Sequence, residues 1–302
     1  MIDLQLQRDD YKVLVTANGN PFAEYRYGHF VCRPYFYPVL TTDGQRLTRG
    51  YPTESFEGET DDHRHHRGIW VAHGLVNGFD LWSEQEGHGS MLQRGDPAVN
   101  VGVDNDDIAS IDGMVDWFGP HGEHLLEECR SIEFQLLGEL IIIDHTSEIH
   151  AKFGDVTFGD TKEGGLISIR LATSMDAKED GRIENSEGQV YDSGQGEEET
   201  WGKQACWVDY SGPVANGDQW GFTVVDHKEN PRHPTYWHVR GYGLFTANPF
   251  GVHDFKADES IDGSFTVKEG EETVFRYRII VHPRRGLEES GIQPLIDEFQ
   301  ES

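Results

Sequence analysis

Four histidines fall within a short stretch, residues 58–82, whose sequence is GETDDHRHHRGIWVAHGLVNGFDLW. The cluster in this stretch consists of the four histidines His63, His65, His66 and His73, the carboxylates Glu59, Asp61 and Asp62, and the arginines Arg64 and Arg67. Groups that titrate, bind metals or donate hydrogen bonds cost free energy to bury and are not needed on a plain surface. Their clustering therefore predicts a functional site.

Three kinds of role fit these residues. In an extended segment side chains alternate between faces, so Asp61, His63 and His65 would lie on the same side. A His-x-His pair with a third histidine nearby is a common ligand set for a divalent metal, which is one interpretation. The neighbouring arginines oppose a cation, and they suit instead a site that holds a polyhydroxylated ligand and transfers protons. A purely structural hydrogen-bond network is the third interpretation.

A second candidate stretch is FGDTKEGG, residues 158–165. Glycines beside Lys162 and Glu163 allow the backbone to present one ammonium and one carboxylate at the end of a strand. Partial burial would raise the pKa of Glu163 and suit it to act as a general base, unless Lys162 offsets the effect. The alternative is a surface turn with a solvated ion pair.

A third stretch, DHKENPRHPTYWHVR at residues 226–240, brings together aromatic, imidazole and guanidinium groups. Aromatic rings stack on the apolar face of a sugar while polar groups bind its hydroxyls, so these residues indicate a carbohydrate ligand. The alternative is that Trp237 belongs to the core and His233 to the surface. The side chains interpreted as substrate-binding are Arg67, Lys162, Tyr236, Trp237, His238 and Arg240, and those interpreted as catalytic are His63, His65, His66, His73 and Glu163.

The elements that must position these groups are short strands. More than a dozen apolar or alternating runs follow one another with turn residues between them, which predicts an all-β antiparallel sandwich. Asn-Gly pairs at residues 18–19 and 216–217 predict hairpins. Prolines within residues 33–40 indicate an edge strand or an ordered loop. Only residues 287–299 have helical spacing, and no linker divides the chain, so residues 1–302 are predicted to form one domain.

The charge composition of the chain limits which classes of molecule it can bind. The 302 residues include 54 Asp and Glu against 25 Lys and Arg, a formal net charge of −29. Such charge disfavours nucleic acid and anionic membranes, and it resembles proteins that work in high salt. No apolar run approaches a membrane span, and MIDLQLQRDD lacks the order of a secretory signal, so a cytoplasmic protein is expected. The three cysteines are predicted to be reduced thiols, and a catalytic role for them is disfavoured.

Several long motifs resemble those of the PmoA-like family, a bacterial and archaeal family. They are RPYFYPVL, GETDDHRHHRGIWVAHGLVNGFDLW, FGDTKEGGL, WGKQACWVDYSG, NPRHPTYWHVRGYGLFTANPFG and FRYRIIVHP, and together they span nearly the whole chain. The family is similar in architecture to the galactose-mutarotase-like β-sandwiches. That resemblance implies a sugar-binding curved sheet, and enzymes on this scaffold use His and carboxylate or Tyr pairs for epimerisation, hydrolysis or elimination.

The function expected from the residues and the resemblance is a carbohydrate-active enzyme of the hydrolase, epimerase or lyase type. One histidine would act as general acid, and Glu163 or another histidine as base. The alternatives are a metal-dependent enzyme that uses the His63/His65 cluster, and a non-catalytic carbohydrate-binding protein. No cofactor other than that possible metal is predicted, and the sequence leaves the oligomeric state open.

Overall fold

The alternating runs of the sequence fold into strands throughout. A computed structural model describes residues 4–102, 108–284, 286 and 291–302. In these residues the strands are β1 (Leu4–Arg8), β2 (Lys12–Ala17), β3 (Asn20–Arg26), β4 (Tyr35–Val39), β5 (Ile69–His73), β6 (Ser90–Gln93), β7 (Ala98–Val101), β8 (Ile108–Phe118), β9 (His124–Leu137), β10 (Leu140–His150), β11 (Val156–Phe158), β12 (Gly164–Arg170), β13 (Arg182–Asn185), β14 (Val190–Asp192), β15 (Trp207–Pro213), β16 (Gln219–Asp226), β17 (Trp237–Val239), β18 (Leu244–Ala247), β19 (Phe265–Val267) and β20 (Glu272–His282). The helices are α1 (Glu197–Thr200), α2 (Val252–Lys256) and α3 (Gln293–Glu301), with a 3-10 turn at Thr173–Met175.

Two large antiparallel sheets face each other. The first sheet has the strand order β1-β2-β3-β4-β5-β12-β18-β17. The second has the order β14-β13-β15-β16-β20-β10-β9-β8-β6, with β7 also paired to β8, and β11 and β19 form a small separate pair. One hydrophobic core joins the inner faces of both large sheets. The predicted all-β antiparallel sandwich is confirmed.

Side-chain alternation in the first sheet separates a core row from a site row. The core row crosses five neighbouring strands in register and consists of Phe36, Ile69, Ile169, Phe245 and Val239. Phe36 meets Phe134 of the second sheet, with ring centroids 5.9 Å apart. The residues one position away form the site row on the opposite face, which consists of Tyr35, Trp70, Ser168, Thr246 and His238. Because the site row is also buried, other segments must cover it.

The turn predictions hold, and one strand prediction does not. Residues 18–19 join β2 to β3 and residues 216–217 join β15 to β16, as the Asn-Gly pairs indicate. The edge position predicted for residues 33–40 is wrong, because β4 lies between β3 and β5. The sheet tolerates Pro38 there since β5 pairs only with Tyr35 and Phe36, and the register with β3 shifts beyond residue 36.

The C-terminal helix packs against the second sheet. Helix α3 buries Ile296 and Phe299 on Val225 and Ile280, which lie on the sheet face turned away from the core. The predicted helix over residues 287–299 is therefore found at Gln293–Glu301, and residues 287–290 lie outside the described residues. None of the helices in the described ranges has the length and apolar character needed to span a bilayer.

Candidate active site

A carboxylate held between two buried arginines anchors residues 50–68, which we call the histidine loop. Asp62 accepts hydrogen bonds from Arg49 and, at 3.1 Å, from Arg170 of β12. Arg49 also donates to the carbonyl oxygen of His63 at 3.0 Å. Burial by itself raises the pKa of Asp62, but the two arginines outweigh it and hold that pKa below its ordinary value. Asp62 is therefore ionised and ties the histidine loop to β12.

The three histidine rings lie together, although the segment is not extended. His63 has a left-handed φ of +44°, and the amide of His66 donates to its carbonyl oxygen at 2.9 Å. The rings of His63 and His66 consequently stack, with centroids 4.8 Å apart. His65 meets His66 edge-on at 4.4 Å. The expected alternation of faces is wrong, because a turn rather than a strand sets the positions of these rings.

The two inner histidines are neutral at neutral pH. Burial lowers the pKa of His65 to about 4, and the charge of Arg33 adds to the effect. Burial, together with His65 and Arg170, holds the pKa of His66 well below 6.5. A guanidinium can only donate, so Nη1 of Arg170 at 3.2 Å makes Nδ1 of His66 an acceptor. The proton of His66 therefore resides on Nε2.

Two tryptophans pack against the imidazole rings of the histidine loop. Trp70 of the site row stacks on His66, with centroids 5.4 Å apart. Trp82 meets His65 and His66 edge-on at 5.7 and 5.5 Å. Both tryptophans are buried. Trp70 and His63 thus enclose the ring of His66, and Trp82 holds both imidazoles in place.

Tyr242 lies among the charged groups of the site. Its ring stacks on His63 at 5.3 Å, and the guanidinium groups of Arg170 and Arg240 lie 4.9 and 5.7 Å from its centroid. Burial raises the pKa of Tyr242, the two arginines lower it, and the carboxylate of Glu163 raises it. The net effect is an increase, so the phenol stays protonated and its hydroxyl can donate or accept a hydrogen bond.

Glu163 directly precedes β12 and carries a carboxylate at its side of the sheet. Its Oε1 lies 3.2 Å from Nζ of Lys162, and both side chains are more than one third exposed. The predicted ion pair thus forms in a solvated position. The charge of Glu163 nevertheless opposes the lowering of the pKa of His65 and of His238.

Two glycines allow β12 to enter the sheet at this point. Gly164 and Gly165 have φ values of +144° and +154°. A Cβ atom on Gly164 would lie 2.6 Å from Nδ1 of His73, and one on Gly165 would lie 2.4 Å from the carbonyl oxygen of Ala247. Any larger residue would push β12 away from its neighbours β5 and β18 and would displace Glu163.

His238 contributes an imidazole from β17. Its Nδ1 donates to the carbonyl oxygen of Lys162 at 2.8 Å, and burial lowers its pKa. The neutral ring therefore carries a lone pair on Nε2, for which no partner exists among the described residues. Trp201 meets this ring edge-on at 6.2 Å, and the guanidinium of Arg240 lies 5.9 Å from the Trp201 ring. Arg240 also pairs with Glu197 at 3.0 Å.

Two residues expected in the site lie in the core instead. Trp237 precedes His238 and so points to the opposite face, where its Nε1 donates to the carbonyl oxygen of Ala205 at 2.9 Å. His73 likewise lies on the core face of β5, and its Nε2 donates to the carbonyl oxygen of Gly159 at 2.8 Å. Both side chains are fully buried. We therefore correct the ligand-stacking role expected for Trp237 and the catalytic role expected for His73.

Arg67 and Tyr236 lie at the periphery. Arg67 donates two hydrogen bonds of 2.8 Å to Glu84, and Arg33 lies 3.7 Å from the same carboxylate. Burial raises the pKa of Glu84, but the two arginines reverse this and lower it to about 2. Tyr236 is half-buried and stacks on Phe255, with centroids 5.5 Å apart. Arg67 is thus committed to an ion pair that braces the histidine loop.

The donor atoms of a metal site are not assembled at the histidine loop. Within the described ranges, groups of three His, Cys, Asp or Glu donors that lie within 4.8 Å of one another occur elsewhere, at Asp116, His124 and Glu127, and at Cys129, Glu148 and His150. The rings of His63 and His65 are 5.8 Å apart and edge-on. The adjacent guanidinium of Arg170 adds positive charge that opposes a cation.

Several residues of the site were not foreseen as functional. They are Arg49, Trp70, Trp82, Glu84, Arg170, Trp201 and Tyr242. Arg170 had a signal that could have been used, because it ends the apolar run LISIR, and a charged residue in a buried strand requires a partner.

Comparison with known proteins identifies a family. A model of the family of unknown function DUF6807 matches residues 12–296. The chain belongs to this family. Among proteins with curated descriptions, none matches significantly.

Solved structures with a similar arrangement of strands were also found. GH36 alpha-galactosidase AgaA from Geobacillus stearothermophilus is 9% identical, with a TM-score of 0.43 over 94% of this chain and 41% of its own. The chain thus spans about two fifths of that enzyme. A galactose mutarotase-like protein from Lactobacillus casei is 8% identical, with a TM-score of 0.43 over 92% and 100%. A putative aldose 1-epimerase from Escherichia coli K12 is 11% identical, with a TM-score of 0.36 over 94% and 100%.

Proposed function

We propose that the protein is a carbohydrate-active enzyme whose site lies between the histidine loop, the start of β12 and β17. The observation that carries the proposal is the stack of His66, His63 and Tyr242, against which the guanidinium groups of Arg170 and Arg240 lie. We assign three further groups to the same site, namely the Nε2–H of His66, the Nε2 lone pair of His238 and the carboxylate of Glu163, which directly follows the residue that His238 bonds to. A donor, an acceptor and a carboxylate suit a molecule that presents several hydroxyl groups.

The reaction would use Glu163 as the base and a neutral histidine as hydrogen-bond donor. The Glu163 side chain is partly exposed, and Glu163 directly follows Lys162, whose carbonyl oxygen accepts the hydrogen bond of His238. A neutral imidazole with a lowered pKa can polarise a substrate oxygen through its N–H, as His66 would do. Abstraction of a proton and stabilisation of the resulting oxygen charge serve epimerisation and elimination, and a carboxylate also serves hydrolysis.

The charge of the site suggests testing sugar acids beside neutral sugars. Two carboxylates, those of Asp62 and Glu84, are shared by four arginines, which are Arg33, Arg49, Arg67 and Arg170. These four guanidinium groups belong to a chain whose net charge is −29. Guanidinium groups beside a binding site attract an anionic group in a substrate.

Ligand-observed NMR in 1 M KCl with matched panels of aldoses, uronates and oligosaccharides would test the proposal. We expect binding of at least one sugar and its conversion, followed by changes in anomeric and ring proton signals. Glu163→Gln should keep the binding and lower the rate by at least about 100-fold, because it removes the base and keeps the shape. Glu259→Gln, at an exposed position, is the matched control.

Three results would refute parts of this scheme. Equal rates for the wild type and Glu163→Gln would exclude Glu163 as the base. Binding without conversion of any sugar would favour the non-catalytic carbohydrate-binding alternative. Loss of activity with chelators and its recovery with a metal would favour the metal-dependent alternative at His63 and His65.

We further propose, from the sequence motifs alone, that the chain is a PmoA-like protein.

A further inference from the structure

Three adjacent strands of the second sheet place a thioether, a thiol and a carboxylate side by side. Met114 on β8 pairs with Cys129 on β9, and Cys129 pairs with Glu148 on β10. His150 follows on the same face of β10. The Sγ of Cys129 lies 3.2 Å from Sδ of Met114 and 3.4 Å from Nε2 of His150. That nitrogen lies 2.8 Å from Oε1 of Glu148. We call these four side chains the sulfur cluster.

We propose that the sulfur cluster binds one copper(I) ion. In a tetrahedral site with metal–sulfur bonds of about 2.3 Å and metal–nitrogen bonds of about 2.0 Å, the sulfur and nitrogen ligands are roughly 3.5 Å apart. Cys129 and His150 already have that spacing. A thiolate and a thioether are soft ligands that select Cu(I) over harder cations. The proposal is independent of the sugar site, which lies on the other sheet.

A carboxylate behind the histidine sets its tautomer for this role. Nδ1 of His150 lies 3.4 Å from Oε2 of Glu272, the partner residue on β20. When Nδ1 carries the proton towards Glu272, Nε2 has a lone pair for the metal, and Glu148 changes from hydrogen-bond acceptor to ligand or counter-charge. This arrangement of ligand and supporting carboxylate is the usual one at histidine metal sites.

Binding would exchange a proton for the ion without any electron transfer. The Cys129 thiol donates to Sδ of Met114 in the metal-free protein. On binding, the S–H bond breaks and a Cu–S bond forms, so one proton leaves for solvent and copper stays in the Cu(I) state. The half-buried position of Cys129 gives the ion access from solvent.

The second group of potential metal donors, Asp116, His124 and Glu127, is not proposed as a metal site. Asp116 and Glu127 each accept hydrogen bonds from Arg94, and Glu127 also pairs with Lys152. Nε2 of His124 donates to Oδ1 of Asp116 at 3.0 Å. These carboxylates are neutralised by two fixed cations, so a metal ion would have to displace them. The sulfur cluster has no cation in direct contact among the described residues.

Anaerobic titration of the purified protein with Cu(I), against a chromogenic Cu(I) chelator as competitor, would test the proposal. We expect one tightly bound equivalent and release of one proton. Cys129→Ser should weaken binding by at least about 100-fold. Met114→Leu should weaken Cu(I) binding by roughly 10-fold and leave Zn(II) binding unchanged, because the thioether is a ligand for the softer ion. Cys32→Ser is the matched control and should bind normally.

Alkylation mapping gives a second readout that does not depend on a variant. Bound Cu(I) should protect Cys129 from iodoacetamide and leave the reactivity of Cys32 and Cys206 unchanged. Stoichiometric Cu(I) binding by a folded Cys129→Ser variant, or absence of protection in the wild type, would overturn the proposal. Stoichiometric binding of Zn(II) without Cu(I) would overturn the assignment of the metal.

Discussion

Replacement of Asp62 by Asn tests whether one carboxylate organises the histidine loop. Arg49 and Arg170 are fully buried and share Asp62 as their carboxylate partner. Removing one partner of a buried ion pair costs about 3–5 kcal/mol. The side chain of Asp62 is 43% exposed, so water screens part of the loss, and we expect about 2 kcal/mol. At about 2–4 °C per kcal/mol, the unfolding midpoint should fall by roughly 4–8 °C.

Asp61→Asn is a matched control, because it makes the same chemical change one residue earlier at an exposed position. It should change the free energy of unfolding by less than about 0.5 kcal/mol. The pH dependence gives a further check. The pKa of folded Asp62 lies below the ordinary value of 3.8, so its stabilisation is complete above that pH and is lost as the pH falls further. Calorimetry should therefore show a larger difference between the wild type and Asp62→Asn at pH 7 than at pH 3. Equal midpoints for the two variants at pH 7 would refute this reasoning.

Three further outcomes follow from buried and surface charge. Glu84→Gln leaves two arginines without their carboxylate and should lower the free energy of unfolding, measured in urea, by about 3 kcal/mol. The control Glu86→Gln, at an exposed position, should change that free energy little. Equal effects of the two substitutions would contradict the role of Glu84 in bracing the histidine loop. Burial lowers the pKa values of His65, His73 and His145 to about 4, 4 and 3, so only the unfolded chain takes up these protons just below pH 6.5. Stability should fall from pH 6.5 towards pH 4 by up to about 4 kcal/mol per pH unit, and a constant midpoint would contradict this. The net charge of −29 predicts that the midpoint rises from low to molar KCl, and a flat response would exclude salt adaptation.

The sequence was sufficient for the fold class because strand and turn signals are local. Alternating runs and the Asn-Gly pairs at residues 18–19 and 216–217 depend on neighbouring residues alone. The position of β4 was not predictable in this way. A strand that contains Pro38 can lie inside a sheet if the neighbouring strand pairs only with its other residues. That neighbour, β5, lies more than 30 positions later in the sequence, so the local pattern around Pro38 does not reveal the pairing.

The site was predictable as a set of segments but not as a geometry. The histidine loop, Lys162 with Glu163, and the segment around His238 were all identified from residue types. The conformation of the loop depends on Arg170, which lies more than 100 positions beyond Asp62 in the chain. Trp237 points to the core and His238 to the site because of the way in which β17 faces the core. A strand of three residues is too short for its hydrophobic pattern to show which face is buried.

The paired glycines before the middle of β12 have a consequence for how variation in this protein should be interpreted. Backbone atoms or side chains of two neighbouring strands occupy the space that a side chain at residue 164 or 165 would need. In a saturation mutagenesis screen, both positions should therefore fail for every substitution, whether the selection is for activity or only for soluble expression. Glu163, one residue earlier, should fail only under selection for activity. Invariance at consecutive positions of one motif would thus have two separate origins, steric exclusion and chemistry, and the two selections would tell them apart.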